Sequence, residues 1–146
     1  MKKYTYIIVQ GVCFSLIILW IYAAASKLMD FNMFYAQMHR QLMFTFIKVL
    51  LPFVLPPLEI AAALLLAIKR TRFAGLVFSF WMLLVFTVYI AVAMSKWFGK
   101  VPCSCGGILS KMSWGTHLSF NILFLLLTVL GIYISYRERR MGYQAT

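Results

Sequence analysis

Residues 73–94 read FAGLVFSFWMLLVFTVYIAVAM, an apolar run without a charged side chain. An α-helix of about 20 apolar residues is long enough to cross the hydrocarbon core of a bilayer. The run lacks the regular apolar–polar alternation that is typical of a strand in a membrane barrel. It therefore predicts a transmembrane helix. Gly75 and Ser79 lie four residues apart in it, and this spacing permits a neighbouring helix to approach closely.

Three further apolar runs cover residues 6–25, 42–68 and 118–136. The chain has 146 residues, of which 64% are hydrophobic and three are acidic, and such a composition indicates a protein whose solvent is lipid. Backbone groups in lipid must be paired within the chain, which makes helices the default spans. We therefore expect an all-α membrane protein in which four transmembrane helices form one compact bundle, with residues 1–146 as a single domain.

The run at residues 42–68 contains Pro52, Pro56 and Pro57. Proline lacks an N–H donor and interrupts a helix. We therefore expect the second span to be broken by these prolines, with an interfacial helix first and a restart near Pro57. Glu59 would then lie in the first turn of the restarted helix, where the helix dipole favours a carboxylate.

The net charge of +11 is distributed in a way that predicts topology rather than binding to nucleic acid. Most basic residues flank the ends of the apolar runs, which follows the excess of Lys and Arg on the cytoplasmic side of membrane proteins. The residues in the short segments assigned to that side are Lys2, Lys3, Lys69, Arg70, Arg72, Arg137, Arg139 and Arg140. We therefore expect both termini inside and the loops at about 26–41 and 95–117 outside. We expect contact with the lipid bilayer and none with nucleic acid.

Cys103 and Cys105 lie in the second outer loop, within VPCSCGGI at residues 101–108. The Cα atoms of residues two apart are separated by at most about 7 Å, whereas a disulfide needs roughly 4.4–6.8 Å. A bridge between them therefore needs a bent backbone, which Gly106 and Gly107 permit. A strained small ring is easily reduced, and easily reduced disulfides are typically catalytic or regulatory. The pair is our candidate redox site.

Two other interpretations of these cysteines stay open. A static bridge would close so small a loop that it would stabilise the fold little. A soft-metal site for copper or zinc would need further ligands, for which Met112 and His117 are the nearest candidates. We assign no metal ligands, because the sequence has no second Cys pair and no His pair at ligand spacing.

Glu59 is the second candidate site residue, because a carboxylate inside a membrane span is costly and usually functional. Lys48 precedes it by about three helical turns and is its candidate partner along one helix. A proton relay, a hydrogen bond to a quinone and a hydrogen bond inside the bundle all stay open for Glu59. Cys13, alone in the first run, is typical of a small buried hydrophobe.

Three stretches together resemble the MauE branch of the DoxX-like membrane proteins, in the redox-associated form of Bacteroidetes-type bacteria. They are YAAASKLMDF at 22–31, LPPLE at 55–59 and VPCSCGG at 101–107, which runs on to Trp114 and His117. The resemblance implies a four-helix protein of the bacterial inner membrane. MauE itself is associated with maturation of methylamine dehydrogenase beside a thioredoxin-like partner, and the DoxX relatives with thiosulfate:quinone oxidoreduction.

Carried onto this chain, the resemblance implies that Cys103 and Cys105 are a redox pair in the periplasm. It also implies that Lys27 and Glu59 occupy recurrent family positions. We therefore predict a thiol–disulfide redox component that exchanges with a periplasmic thioredoxin-like protein. A quinone near Glu59 is the candidate electron acceptor, and no cofactor follows directly from the residues.

Two rival functions stay open at this point. One is a non-catalytic assembly or docking subunit of a larger membrane complex, using aromatic outer-loop residues such as Phe31, Phe34 and Tyr35. The other is the handling of copper or another soft metal at the same thiols. The sequence leaves open whether the chain is itself an enzyme.

Overall fold

The computed structural model describes residues 2–39, 45–95 and 114–143, and within these ranges the chain is helical without a strand. The helices are α1 (Lys2–Met29), α2 (Phe31–His39), α3 (Thr45–Ala67), α4 (Arg72–Met94) and α5 (Trp114–Tyr143).

Four of these helices are long and apolar enough to cross a membrane, over Tyr4–Met29, Val49–Ala67, Arg72–Val92 and Gly115–Arg140. Large apolar side chains cover their outer faces, and Trp81 of α4, for example, is 59% exposed. Such surfaces suit lipid rather than water. The predicted fold class, an all-α membrane protein whose four spans pack against one another, is confirmed.

The spans form a closed bundle in which successive spans are antiparallel. α1 packs between α3 and α5, and α4 packs between the same two helices on the opposite side. The tight turn between α3 and α4 is held by Thr71, whose hydroxyl donates to the main-chain carbonyl of Leu65 at 2.9 Å. We call the end of the bundle that contains this turn the Thr71 end, and the opposite end, where α1 finishes, the Lys27 end.

An apolar core holds the half of the bundle toward the Thr71 end. Its fully buried members include Leu16, Leu66 and Leu76, from α1, α3 and α4. Cys13 belongs to the same cluster and is 2% exposed. This position fits a packing role for Cys13.

Gly75 lies where α3 and α4 come closest. A Cβ atom on Gly75 would stand 2.8 Å from the main-chain N of Leu66 and 2.9 Å from the carbonyl C of Leu65. The predicted close approach is therefore confirmed at Gly75. Ser79, one turn later, is buried and accepts a hydrogen bond from the Trp20 indole N–H at 2.9 Å.

The prediction that prolines break the second span is wrong in its local detail. α3 is helical without interruption through Pro52, Pro56 and Pro57. Glu59 lies well inside this helix instead of in its first turn. Ending a helix in lipid would leave several N–H and C=O groups unpaired, whereas each internal proline removes only one donor. Continuing the helix is therefore the less costly solution.

The short helix expected at the start of the second run lies earlier, as α2. Its N-terminus follows directly on α1, and the Phe34 N–H donates to the Asp30 carbonyl at 3.0 Å. Its aromatic face turns back onto α3, where the rings of Phe31 and Phe53 have centroids 5.3 Å apart. α2 therefore packs mainly against α3 at the Lys27 end.

Candidate functional site

A buried ion pair joins α1 to α3 near the Lys27 end. The Lys27 ammonium N lies 2.6 Å from Glu59 Oε1. Lys27 is 8% exposed and Glu59 1%. The same Nζ donates to the main-chain carbonyl of Ala23, one turn earlier, at 3.1 Å. Each charge thus has an opposite charge or a dipole beside it, which burial in a low-dielectric interior requires.

Lys48 was the candidate partner of Glu59 along one helix, whereas the structure shows an ion pair between Glu59 and Lys27. Lys48 is close in sequence along the same helix, and its side chain lies outside the part of the structure described. Lys27 is distant in sequence but lies on the adjacent antiparallel helix. The available signal was one cation just beyond the end of the first apolar run and one anion within the second, since charges inside membrane spans usually pair with each other.

α2 shields the ion pair from one side. Phe34 is 2% exposed, and its ring centroid lies 5.8 Å from the Lys27 Nζ. This distance is within the range of a cation–π interaction. The aromatic ring therefore replaces water at the cation and stabilises its charge.

The second carboxylate oxygen of Glu59 differs from the first in its hydrogen bonding. Oε2 is buried and has no hydrogen-bond partner among the described residues. An unsatisfied buried acceptor is costly, and most buried polar atoms in proteins are paired. A polar atom of this kind calls for a donor that the described protein atoms do not supply.

A cavity of about 440 Å³ lies beside this pair. That volume is in the range of small-molecule sites, which are mostly apolar with a few convergent polar groups. The residues that line it are Leu19, Trp20, Ala23, Lys27, Met38, Leu51, Leu55, Leu58, Glu59, Trp81, Met82, Leu83, Val85, Phe86, Tyr89, Ile90, His117, Phe120, Asn121 and Phe124.

Two polar residues of α5 face the same cavity. His117 is 5% and Asn121 7% exposed, and Asn121 donates its side-chain amide to the His117 carbonyl at 3.1 Å. Both were missed as members of a site with Glu59, because the first turns of α5 are far from α1 and α3 in sequence. The structure brings Lys27, Glu59, His117 and Asn121 to the lining of one cavity.

Cys103, Cys105 and Met112 lie outside the described residues. The chain that carries them, residues 96–113, leaves α4 just after Ser95 and enters α5 at Trp114. Tyr89 and Ile90 of α4 and His117 of α5 are within two helical turns of those ends and line the cavity. The Cys-Ser-Cys segment is therefore tethered at both ends to helices that border the cavity.

Four apolar spans around a buried ion pair and an adjoining cavity define a multi-pass membrane protein with a polar site inside its bundle. The model of the family described as methylamine utilisation protein MauE matches residues 4–134. The chain belongs to this family, and the resemblance drawn from the sequence is confirmed. Comparisons with curated proteins and with solved structures found no match.

Proposed function

We propose that the chain is a thiol–disulfide redox component of the bacterial inner membrane, in which Cys103 and Cys105 exchange with a periplasmic thioredoxin-like protein. The observation that carries this proposal is that the Cys-Ser-Cys segment connects α4 to α5, and that both helices line the cavity beside Lys27 and Glu59. A reducible cysteine pair and a buried polar site are the two parts that a membrane redox relay needs.

The exchange step follows ordinary thiol chemistry. A thiolate of the reduced partner attacks one sulfur of the Cys103–Cys105 disulfide and forms a mixed disulfide, which the second partner thiolate then resolves. The partner becomes oxidised, and Cys103 and Cys105 become a dithiol that carries two electrons. The opposite direction uses the same steps in reverse. A quinone held near Glu59 is the proposed second redox reactant.

The proposed orientation places both termini and the α3–α4 turn in the cytoplasm. Lys69, Arg70 and Arg72 lie at that turn, and Arg137 and Arg139 lie near the end of α5 at the same end of the bundle. A concentration of basic residues favours the cytoplasmic side. The Lys27 end and the segment at residues 96–113 would then face the periplasm, where disulfides persist.

Trapping of mixed disulfides in intact cells tests the exchange. With Cys105→Ser, we expect Cys103 to accumulate a covalent adduct with a thioredoxin-like protein, because the resolving thiol is gone. The adduct should appear as a reducible band on a non-reducing gel after alkylation. Cys13→Ser is the matched control, since Cys13 is buried in the core, and its adduct pattern should equal that of the parent protein.

The proposal fails if Cys103→Ser and Cys105→Ser both leave the adduct pattern unchanged and the double variant keeps full function. That outcome would support the rival docking subunit. Three aromatic residues considered for docking already have partners within the chain: Phe34 covers Lys27, and Phe31 and Tyr35 pack on Phe53.

Metal analysis of purified protein with and without the cysteines tests the handling of copper.

A further inference from the structure

The polar groups of the cavity lie together, while most of its wall is apolar. Lys27, Glu59, His117 and Asn121 line the cavity together with many leucine, phenylalanine and tryptophan side chains. A ligand that fits this arrangement is largely hydrocarbon or aromatic and carries polar atoms at one edge. An acyl chain alone would leave the polar groups unmatched, which is costly in a low-dielectric site.

The ion pair presents one hydrogen-bond acceptor and one donor beside each other. Glu59 Oε2 is an acceptor without a described partner. The Lys27 ammonium has three donors, and its described hydrogen bonds go to Glu59 Oε1 and the Ala23 carbonyl. A ligand group that accepts in one state and donates in another can therefore bind here in both states.

The outer wall of the cavity points to entry from the membrane. Trp81 and Val85 of α4 line it and are 59% and 64% exposed. They lie on the outer face of a span, where the solvent is lipid. A ligand dissolved in the bilayer can thus reach the polar wall by passing between side chains of α4, without crossing the aqueous phase.

We infer that this cavity binds the ring of a lipid-soluble quinone, with Lys27 donating to a ring carbonyl and Glu59 Oε2 accepting from the hydroxyl of the reduced ring. This inference rests on the proposed function and assigns its second redox reactant. A quinone carbonyl is an acceptor and a hydroquinone hydroxyl is a donor, which matches the two sides of the ion pair. His117 and Asn121 complete the polar wall.

The overall reaction balances in atoms and electrons. The dithiol of Cys103 and Cys105 loses two electrons and two protons and forms one S–S bond. The quinone gains two electrons and two protons, and its two carbonyls become hydroxyls. The segment that carries the two cysteines joins α4 to α5, and residues of both helices line the cavity.

Binding can be measured without any cysteine chemistry. The probe is a benzoquinone with a ten-carbon tail, titrated into purified Cys103→Ser/Cys105→Ser protein in lipid nanodiscs. Trp20 and Trp81 line the cavity, so we expect saturable quenching of tryptophan fluorescence. Ala23→Leu fills the cavity from α1 and should weaken binding at least tenfold. Ala25→Leu, on an exposed face of the same helix, is the matched control and should bind like the parent.

A second variant tests the ion pair itself. Lys27→Met/Glu59→Leu removes both charges together, which keeps the interior free of an unpaired charge. We expect it to stay folded and to lose at least tenfold in quinone affinity, because both hydrogen bonds to the ring are gone. Glu138→Gln, near the end of α5, is the matched control for loss of a carboxylate.

The inference is overturned if quenching is absent, if Ala23→Leu and Ala25→Leu quench alike, or if removal of the ion pair leaves the affinity unchanged. Failure of the proposed function is a separate result, because it would show as missing mixed disulfides at Cys103 while saturable quinone binding persists. Trapped adducts without quinone binding would instead support the thiol–disulfide exchange and contradict the quinone site.

Discussion

At the scale of single residues, the Lys27–Glu59 pair places two charges inside the bundle. Removing two charges from water carries a desolvation penalty that their attraction offsets only with good geometry. The 2.6 Å contact, the Ala23 carbonyl and the Phe34 ring supply that geometry. Such an arrangement adds little net stability over a packed apolar pair, which favours a functional reason for its presence.

The stability of the protein should depend on whether one or both charges of the Lys27–Glu59 pair are removed. Lys27→Met leaves the Glu59 carboxylate buried without its cation and should destabilise the protein by about 3–5 kcal/mol. Lys27→Met/Glu59→Leu should recover most of that loss. Unfolding of purified protein in detergent, followed by circular dichroism, measures the difference.

Lys69→Met is the control for this comparison, since Lys69 is exposed at the α3–α4 turn and its loss should change stability little. Equal stability of the single and the double variant would contradict a tightly coupled buried pair.

At the scale of elements, the contact between α3 and α4 depends on Gly75. Gly75→Ala places a Cβ atom against the main chain of Leu65 and Leu66, and backbone cannot move aside as a side chain can. Overpacking of this kind costs about 1–3 kcal/mol. The midpoint of thermal unfolding in detergent should fall accordingly.

Gly11→Ala is the matched control, because a Cβ atom there meets nothing within 4 Å. Alanine is the better helix former, so this variant should be neutral or slightly stabilising. Similar losses of stability in the two variants would mean that glycine's role at position 75 is not close packing.

α3 also shows why local rules mislead inside a membrane. Its three prolines predict a break by the standards of soluble helices, yet the helix continues through Pro52, Pro56 and Pro57. Lipid offers no donor or acceptor for the backbone groups that a break would expose. The position of Glu59 within α3, and hence its reach to Lys27, depends on this continuity.

At the scale of the whole molecule, the distribution of basic residues predicts an orientation that can be measured. In a cysteine-free background, Ser95→Cys at the Lys27 end should react with a membrane-impermeant maleimide in intact cells. Arg70→Cys at the Thr71 end should react only after the cells are permeabilised. The reverse labelling pattern would place the cysteine segment in the cytoplasm and exclude exchange with a periplasmic partner.

Much of the fold could be predicted from the sequence, because crossing a bilayer is a local property. Apolar runs at residues 6–25, 42–68, 73–94 and 118–136 each overlap a helix of the structure. The candidate site was predicted only in part. Glu59 was selected because a carboxylate is conspicuous in an apolar span, whereas His117 was not joined to it.

The sequence by itself determined that this is a membrane protein of four helical spans, since hydrophobicity and helix length act within each segment. The Cys103–Cys105 redox pair was also proposed from the sequence, and it stays a prediction. Only the tertiary structure decided that Glu59 pairs with Lys27 and that a cavity opens beside them. Those facts depend on which helices are neighbours and in what register, and these are set by packing across the bundle, such as the contact of Gly75 with α3.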